Sequence, residues 1–303
     1  MIALASVYAA AERIAPYVER TPILHSAELD HEAGLVVYAK ADYRQLVKSF
    51  KIRGALNAAL LAPKNVKGFI GFSSGNHAQA LAYAGQLLGK PTTLIMPEDT
   101  PRVKVEATKR FGATVVTDGV TIANRLELLE HMAADSGFFV IKPYDDENVM
   151  AGQGTMALEF LEQCPDITAV YMPVGGGGLI SGIASVVKQL RPDIAVIGVE
   201  PEGANDAQMS LATKTRVALP AIPSTVCDGI RTLTLGEKTF PIIVEAVDEI
   251  VAVPDVATLR AVELVRTYFG DTIETTGAIS LGALLTKERD RGTVLTILTG
   301  ANC

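Results

Sequence analysis

The sequence predicts an α/β fold in which open parallel sheets are flanked by helices. Three observations carry that prediction. Short apolar runs alternate with longer helical patterns, glycines fall where those helices should end, and 49% of the 303 residues are apolar. In order, VKGFIGFS (66–73) is followed by HAQALAYAGQLLG (77–89), TTLIMP (92–97) by VKVEATKRFG (103–112), and ATVVTDG (113–119) by TIANRLELLEHMAAD (121–135). Further on, TAVYMPV (168–174) precedes LISGIASVVKQL (179–190), and AVIGVE (195–200) runs into a turn around Pro201. Each pair reads as a strand feeding a helix, the grammar of a parallel sheet covered on both faces. Gly89 and Gly112 stand where helix ends require a left-handed residue. The three units between 68 and 138 read as a small inserted α/β domain, leaving 1–65 plus 140–303 as a larger domain.

Composition narrows the function classes. The 27 Lys+Arg against 34 Asp+Glu give a net charge of −7. With no basic block, a nucleic-acid surface is not expected. Cys164, Cys227 and Cys303 fit neither a disulfide framework nor a CxxC knuckle, which points to a reducing cytoplasm. Mean hydropathy is +0.27, and residues 167–187 carry no charge. On paper that window could span a bilayer, but Pro173 and Gly175 to Gly178 split it into a strand-like and a helix-like half. MIALASVYAAAER lacks a basic leader and a clear cleavage site, and it reads as an amphipathic helix. A soluble protein without a membrane partner is expected.

In a parallel α/β sheet, ligands meet the loops leaving the strand ends. VGGGGLISG (174–182) joins a strand to a helix, and its four glycines let backbone N–H groups converge on an anion at a helix N-terminus. Its spacing matches neither GxGxxG nor a Walker A loop, which leaves a small phosphate or, alternatively, a turn chosen for packing. FSSGNHAQA (72–80) also opens a helix. Ser73, Ser74, Gly75, Asn76 and His77 there suit a substrate carboxylate, or simple capping. In KSFKIRGALNAALL (48–61), Lys51 lies beside an aromatic ring, which can destabilise its ammonium and favour imine formation; most lysines are solvated surface charges. Two anion cradles and such a lysine together describe pyridoxal 5'-phosphate (PLP) joined to an amino acid.

SFKIRGALNA, SSGNHAQA and GGGGLISG, in this order, resemble the fold-type II PLP enzymes, and among them the serine/threonine dehydratases and serine racemases. The resemblance runs from PYVERTPIL (16–24) to Ala301 and implies a two-lobed, tryptophan synthase β-like architecture and a homodimer. It also implies site roles. Lys51 is the lysine that holds PLP and removes the substrate α-proton, and Phe50 packs beside the ring. Asn76 meets the phenolic oxygen, and Gly175, Gly176, Gly177 and Gly178 hold the phosphate. LTILTGANC (295–303) places Thr299 against the pyridine nitrogen, where a hydroxyl leaves the ring a weaker electron sink and favours β-elimination over transamination. Ser74 matches the second acid/base of the racemases, although dehydratases carry a serine there too.

GVEPEGAND (198–206) resembles the family's divalent-cation site, with Glu200, Asp206 and the carbonyl of Ala204 offering oxygen ligands for Mg or Ca; solvated acids at a strand end are the alternative. Three departures stand out. Val47-Lys48 replaces the usual Thr-Gly before Ser-Phe-Lys, and Ala301 replaces a glycine. Tyr144-Asp145-Asp146 is nearer to dehydratases than to racemases. Arg231 in CDGIRT (227–232) is a conceivable anchor for an acidic substrate. The chain ends two residues after Ala301, so no C-terminal effector domain is expected. The implied activity is an ammonia-lyase (dehydratase) converting a β-hydroxy amino acid, L-threonine, L-serine or a 3-hydroxyaspartate, to a 2-oxo acid and ammonia. The alternative is a racemase using Lys51 and Ser74 as paired bases.

Overall fold

The computed structural model describes residues 1–286 and 292–303. Among them are ten strands in two sheets. In chain order they are β1 (Ile23–Leu24), β2 (Val36–Ala41), β3 (Phe69–Phe72), β4 (Thr92–Ile95), β5 (Thr114–Val116), β6 (Phe139–Val140), β7 (Ala169–Pro173), β8 (Ala195–Pro201), β9 (Glu249–Val253) and β10 (Thr293–Leu298). The six-stranded sheet runs β1-β2-β10-β7-β8-β9, parallel except for the β1–β2 pair. The four-stranded sheet runs β5-β4-β3-β6 and is parallel throughout. Its fourth strand, Phe139–Val140, follows directly on the three βα units read from the sequence.

Both sheets are covered on two faces, as their uninterrupted apolar strands require. Helices Leu4–Ile14, Glu147–Gln163 and Gly178–Leu190 pack one face of the larger sheet, burying Val7, Phe160 and Ile183 against Val170 and Leu295. Asp255–Phe269 and Thr275–Leu284 cover the other through Leu264 and Ile279. Over the smaller sheet, Lys51–Leu61 and Asn76–Leu88 bury Leu56 and Leu81 on one side, and Arg125–Ser136 buries Leu129 on the other. The uncharged window at 167–187 folds as β7, the glycine loop and most of the helix Gly178–Leu190. Among the described residues no helix is long and apolar enough to cross a membrane.

The segment preceding Lys51 is tied to the chain's far end. Phe50 N–H donates to Thr299 O (3.0 Å), Ala301 N–H donates to Lys48 O (2.9 Å), and Ser49 bridges Gly300. Lys48, exposed in this turn, has a φ of 54°. A side chain in the left-handed region costs about 1–2 kcal/mol, and here it stands where the resembling family has glycine. Lys48→Gly is expected to stabilise the protein by about 0.5–1 kcal/mol, because glycine removes the strain and returns part of the gain as unfolded-state entropy. A urea titration with an unchanged or lower midpoint would contradict that account.

Candidate active site

Loops from both sheets close around one cavity. The larger sheet contributes the glycine loop after β7 and Thr299 at the end of β10, and the smaller contributes residues 73–77 after β3. Phe50 and Lys51 enter from the start of the helix Lys51–Leu61. Lys51, Ser73, Ser74, Gly75, Asn76, His77, Gly175 to Gly178 and Thr299 therefore share a cavity although they are spread over most of the chain.

Lys51 reaches the cavity but is otherwise enclosed by protein. Its ammonium lies 5.1 Å from the centre of the Phe50 ring and donates to Pro143 O at 2.9 Å. With no carboxylate partner among the described residues, burial alone pushes its pKa down to about 8, so a neutral amine is present near physiological pH. His77 is buried, and its Nε2 is 3.1 Å from Ile141 O. Burial and the nearby Lys51 charge push its pKa down to about 3. His77 is thus a neutral ring tied to the backbone, a scaffold for the loop and not a proton carrier at pH 7.

The glycine loop answers both readings of its sequence. Gly177 has a φ of 91°, which a side chain rarely adopts, and a Cβ at Gly176 would run into the Tyr144 ring. Packing therefore demands glycine here. The N–H groups of Gly175, Gly176, Gly177 and Gly178 have no protein acceptor among the described residues, and the helix Gly178–Leu190 begins behind them. Such a set of free donors at a helix N-terminus fits a phosphate. With the amine of Lys51 and the hydroxyl of buried Thr299 facing the same cavity, the donors present fit PLP.

Asn76 opens the helix Asn76–Leu88, and both ends of its side-chain amide are occupied. Nδ2 donates to Glu274 Oε1 (2.6 Å), and Oδ1 accepts from Asn302 Nδ2 (2.8 Å). Burial pushes the Glu274 pKa up to about 7. Sequence reading missed Glu274: it precedes an apolar helix, where an acid ordinarily signals a cap. It also passed over Lys104 and Arg125, which project into the cavity from helices that otherwise look solvated. Lys104 pairs with Asp228 across the cavity mouth. The Arg125 guanidinium lies 4.9 Å from the centre of the Phe72 ring, with no acidic partner among the described residues. Arg231 also lines the cavity, and its buried Nε lacks a partner.

Glu200, Ala204 and Asp206 lie apart from this cavity, at and just after the end of β8, and all three are buried. Glu200 accepts from the N–H groups of Ala207 (3.1 Å) and Gln208 (2.8 Å), while Asp206 Oδ2 has no partner. Burial and the Asp206 charge hold the Glu200 carboxyl well above the usual range. Burial pushes Asp206 up to about 7. Among the described residues no cluster of three or more metal-ligating side chains exists.

Comparison with known proteins agrees with this geometry. A family model described as "Pyridoxal-phosphate dependent enzyme" matches residues 14–300. The chain is 42% identical over 297 residues to L-threo-3-hydroxyaspartate ammonia-lyase of Saccharomyces cerevisiae, covering 97% of this chain and 91% of that protein. It is 36% identical to serine racemase of Arabidopsis thaliana, covering 98% and 92%. The crystal structure of a threonine deaminase from T.th. superposes with a TM-score of 0.96 at 46% identity, covering 99% of this chain and 98% of that one. The chain belongs to the pyridoxal-phosphate dependent enzyme family, with the fold-type II architecture.

Proposed function

We propose that this protein is an ammonia-lyase that converts a β-hydroxy amino acid, with a 3-hydroxyaspartate preferred over L-serine and L-threonine, to a 2-oxo acid and ammonia. The observation that carries the preference is the Arg125 guanidinium, which lines the cavity without an acidic partner among the described residues. A substrate's distal carboxylate would supply that partner. The yeast relative, an L-threo-3-hydroxyaspartate ammonia-lyase, supports the same substrate class.

In this reading the Lys51 amine would hold PLP, the glycine-loop N–H groups would take its phosphate, Asn76 would meet its phenolic oxygen and Thr299 its ring nitrogen. When bound, PLP supplies an electron sink for the charge left on the substrate α-carbon. Ser73 to His77, at a helix start, bind and orient the α-carboxylate. The Lys51 amine, once free, takes the α-proton, for which a pKa near 8 suits it. In this reading residues 1–65 plus 140–303 form the PLP-binding domain and 68–138 the small domain, although the helix Lys51–Leu61 and the strand Phe139–Val140 pack with the smaller sheet.

The test is 2-oxo acid release from L-threo-3-hydroxyaspartate, L-serine and L-threonine by the unaltered protein and by Arg125→Met. Losing one charged contact should lower kcat/KM for hydroxyaspartate by about 10–100-fold and leave serine nearly unchanged. Equal losses on both would remove Arg125 from substrate selection.

Ser74 favours a second reading. Its hydroxyl lines the cavity with no hydrogen-bond partner among the described residues, so it is free to serve as the second acid/base that the family resemblance implies. Racemisation of serine or aspartate would then accompany elimination, and chiral analysis of unreacted substrate reads the ratio.

A Mg or Ca ion at Glu200, Asp206 and the Ala204 carbonyl would offset the charge that burial penalises there. At a hundred times its dissociation constant, the ion should stabilise the protein by about 2.7 kcal/mol. Asp206→Asn should remove the resulting rise in melting temperature; a rise that survives the substitution places the ion elsewhere. The three free cysteines suit a cytoplasmic enzyme, and the family resemblance implies a homodimer.

A further inference from the structure

Glu274 occupies the N-cap position of the helix Thr275–Leu284 in extended backbone, yet its side chain makes no cap hydrogen bond. It is buried and turns instead towards the cavity, where both carboxylate oxygens are used. Oε1 accepts from Asn76 Nδ2 at 2.6 Å, and Oε2 accepts from the Asn302 N–H at 3.2 Å. Asn302 closes a ring. Its Nδ2 donates both to Asn76 Oδ1 (2.8 Å) and to Val47 O (2.9 Å).

The orientation of every amide in this ring follows from one group that can only accept, the Val47 carbonyl, and the ring is fully satisfied with Glu274 ionised, because both of its oxygens meet donors. The Val47 carbonyl fixes which end of Asn302 is nitrogen. That nitrogen requires an acceptor on Asn76, so Oδ1 faces Asn302 and Nδ2 is left to donate to Glu274 Oε1. Asn76 Nδ2 has a second proton that neither neighbour uses. A glutamine at position 274 could not replace the acid, because one of its two terminal atoms would donate where both must accept.

We propose that Glu274 is a positioning residue for Asn76: with Asn302 it sets the amide so that an N–H, not the carbonyl oxygen, is presented to the bound cofactor. The inference rests on the reading above, in which Asn76 meets the phenolic oxygen of PLP. That oxygen accepts a hydrogen bond when ionised, and a flipped amide would set oxygen against oxygen. The cofactor's visible absorbance, which reports the ionisation of that oxygen, therefore depends on a residue that need not touch it.

Two variants separate this role from a purely structural one. Glu274→Gln leaves a donor facing a donor, so Asn76 must flip or lose its partner. Asn76→Asp combined with Glu274→Gln restores every hydrogen bond in the ring. The new amide at position 274 donates to the new carboxylate at position 76 and accepts from the Asn302 N–H, but that carboxylate offers only acceptors to the cofactor. Visible spectra of the PLP-loaded proteins at one pH, PLP retention on dialysis and melting of the PLP-free proteins are to be measured. Glu274→Gln is expected to lose visible absorbance to the near-ultraviolet and to retain PLP roughly tenfold more weakly. The double variant should recover the melting temperature of the unaltered protein while its spectrum stays altered. A Glu274→Gln spectrum and retention like those of the unaltered protein, or a double variant that recovers both spectrum and stability, overturns the inference. An unaltered protein that takes up no PLP overturns the reading of the site, and the inference with it.

Discussion

Lys51→Ala is expected to abolish turnover and the visible absorbance of the loaded protein together. Loss of a general base alone lowers rates by about 10²–10⁴-fold, and here the same amine also anchors the cofactor. The fold should survive, because the Lys51 ammonium makes one hydrogen bond, to Pro143 O, and has no ion pair among the described residues. The pH dependence has a definite sign. Only the neutral amine attacks an aldehyde, and the folded pKa is pushed down to about 8. Capture of PLP by the cofactor-free protein should therefore quicken about tenfold per pH unit up to pH 8 and level off above it. Stopped-flow absorbance reads that rate. A flat profile, or a visible band that persists in Lys51→Ala, would move the attachment point to another residue.

Arg53→Met should cost more stability than any of the substitutions named above. Arg53 is wholly buried two residues beyond Lys51. It donates twice to Asp42 (2.7 and 2.9 Å) and twice to Glu159 (2.6 and 3.0 Å). Lys40, also buried, donates to Glu159 at 2.7 Å. Removing the guanidinium leaves two carboxylates facing one ammonium in the interior, and breaking such a buried set costs about 3–5 kcal/mol. That is a large share of the roughly 5–15 kcal/mol that holds a folded chain together. Asp42→Asn in the same chain should recover part of the loss, because the orphaned charge is gone. Guanidinium titration of the cofactor-free protein measures both; a loss below about 1 kcal/mol would mean that water reaches the cluster.

What the sequence discloses is local. β3, β4, β5 and β7 fall within the apolar runs that predicted them, β8 runs one residue past its run to Pro201, and Gly89 caps its helix with a φ of 61°. Gly112 does not cap: the helix Arg102–Lys109 ends at Arg110 in helical backbone, and Gly112 (φ 79°) turns the chain two residues later. A strand of four buried residues and a left-handed glycine are short-range signals, readable without knowing what packs on them. The glycine loop, the Lys51 segment and residues 73–77 were legible as motifs, and the structure brings them to one cavity. The ring of Asn76, Glu274 and Asn302 was not, because Glu274 and Asn302 lie 198 and 226 residues from Asn76 and share no periodicity with it. Arg53 stood in plain view within SFKIRGALNA, but an arginine is ordinarily solvated, so its burial depends on Asp42 and Glu159 arriving from elsewhere. Lys48 in place of glycine was visible; that the chain keeps the left-handed turn regardless required the backbone.

The cavity takes its walls from both sheets, and whatever fills it ties them together. Occupancy therefore enters the protein's lifetime as well as its catalysis. A ligand held only by the assembled cavity adds about 2.7 kcal/mol of resistance to unfolding at a hundred times its dissociation constant. Newly made chains that have not met vitamin-derived cofactor are the population that proteases should remove first. A cell short of that vitamin would lose the enzyme by degradation as well as by vacancy.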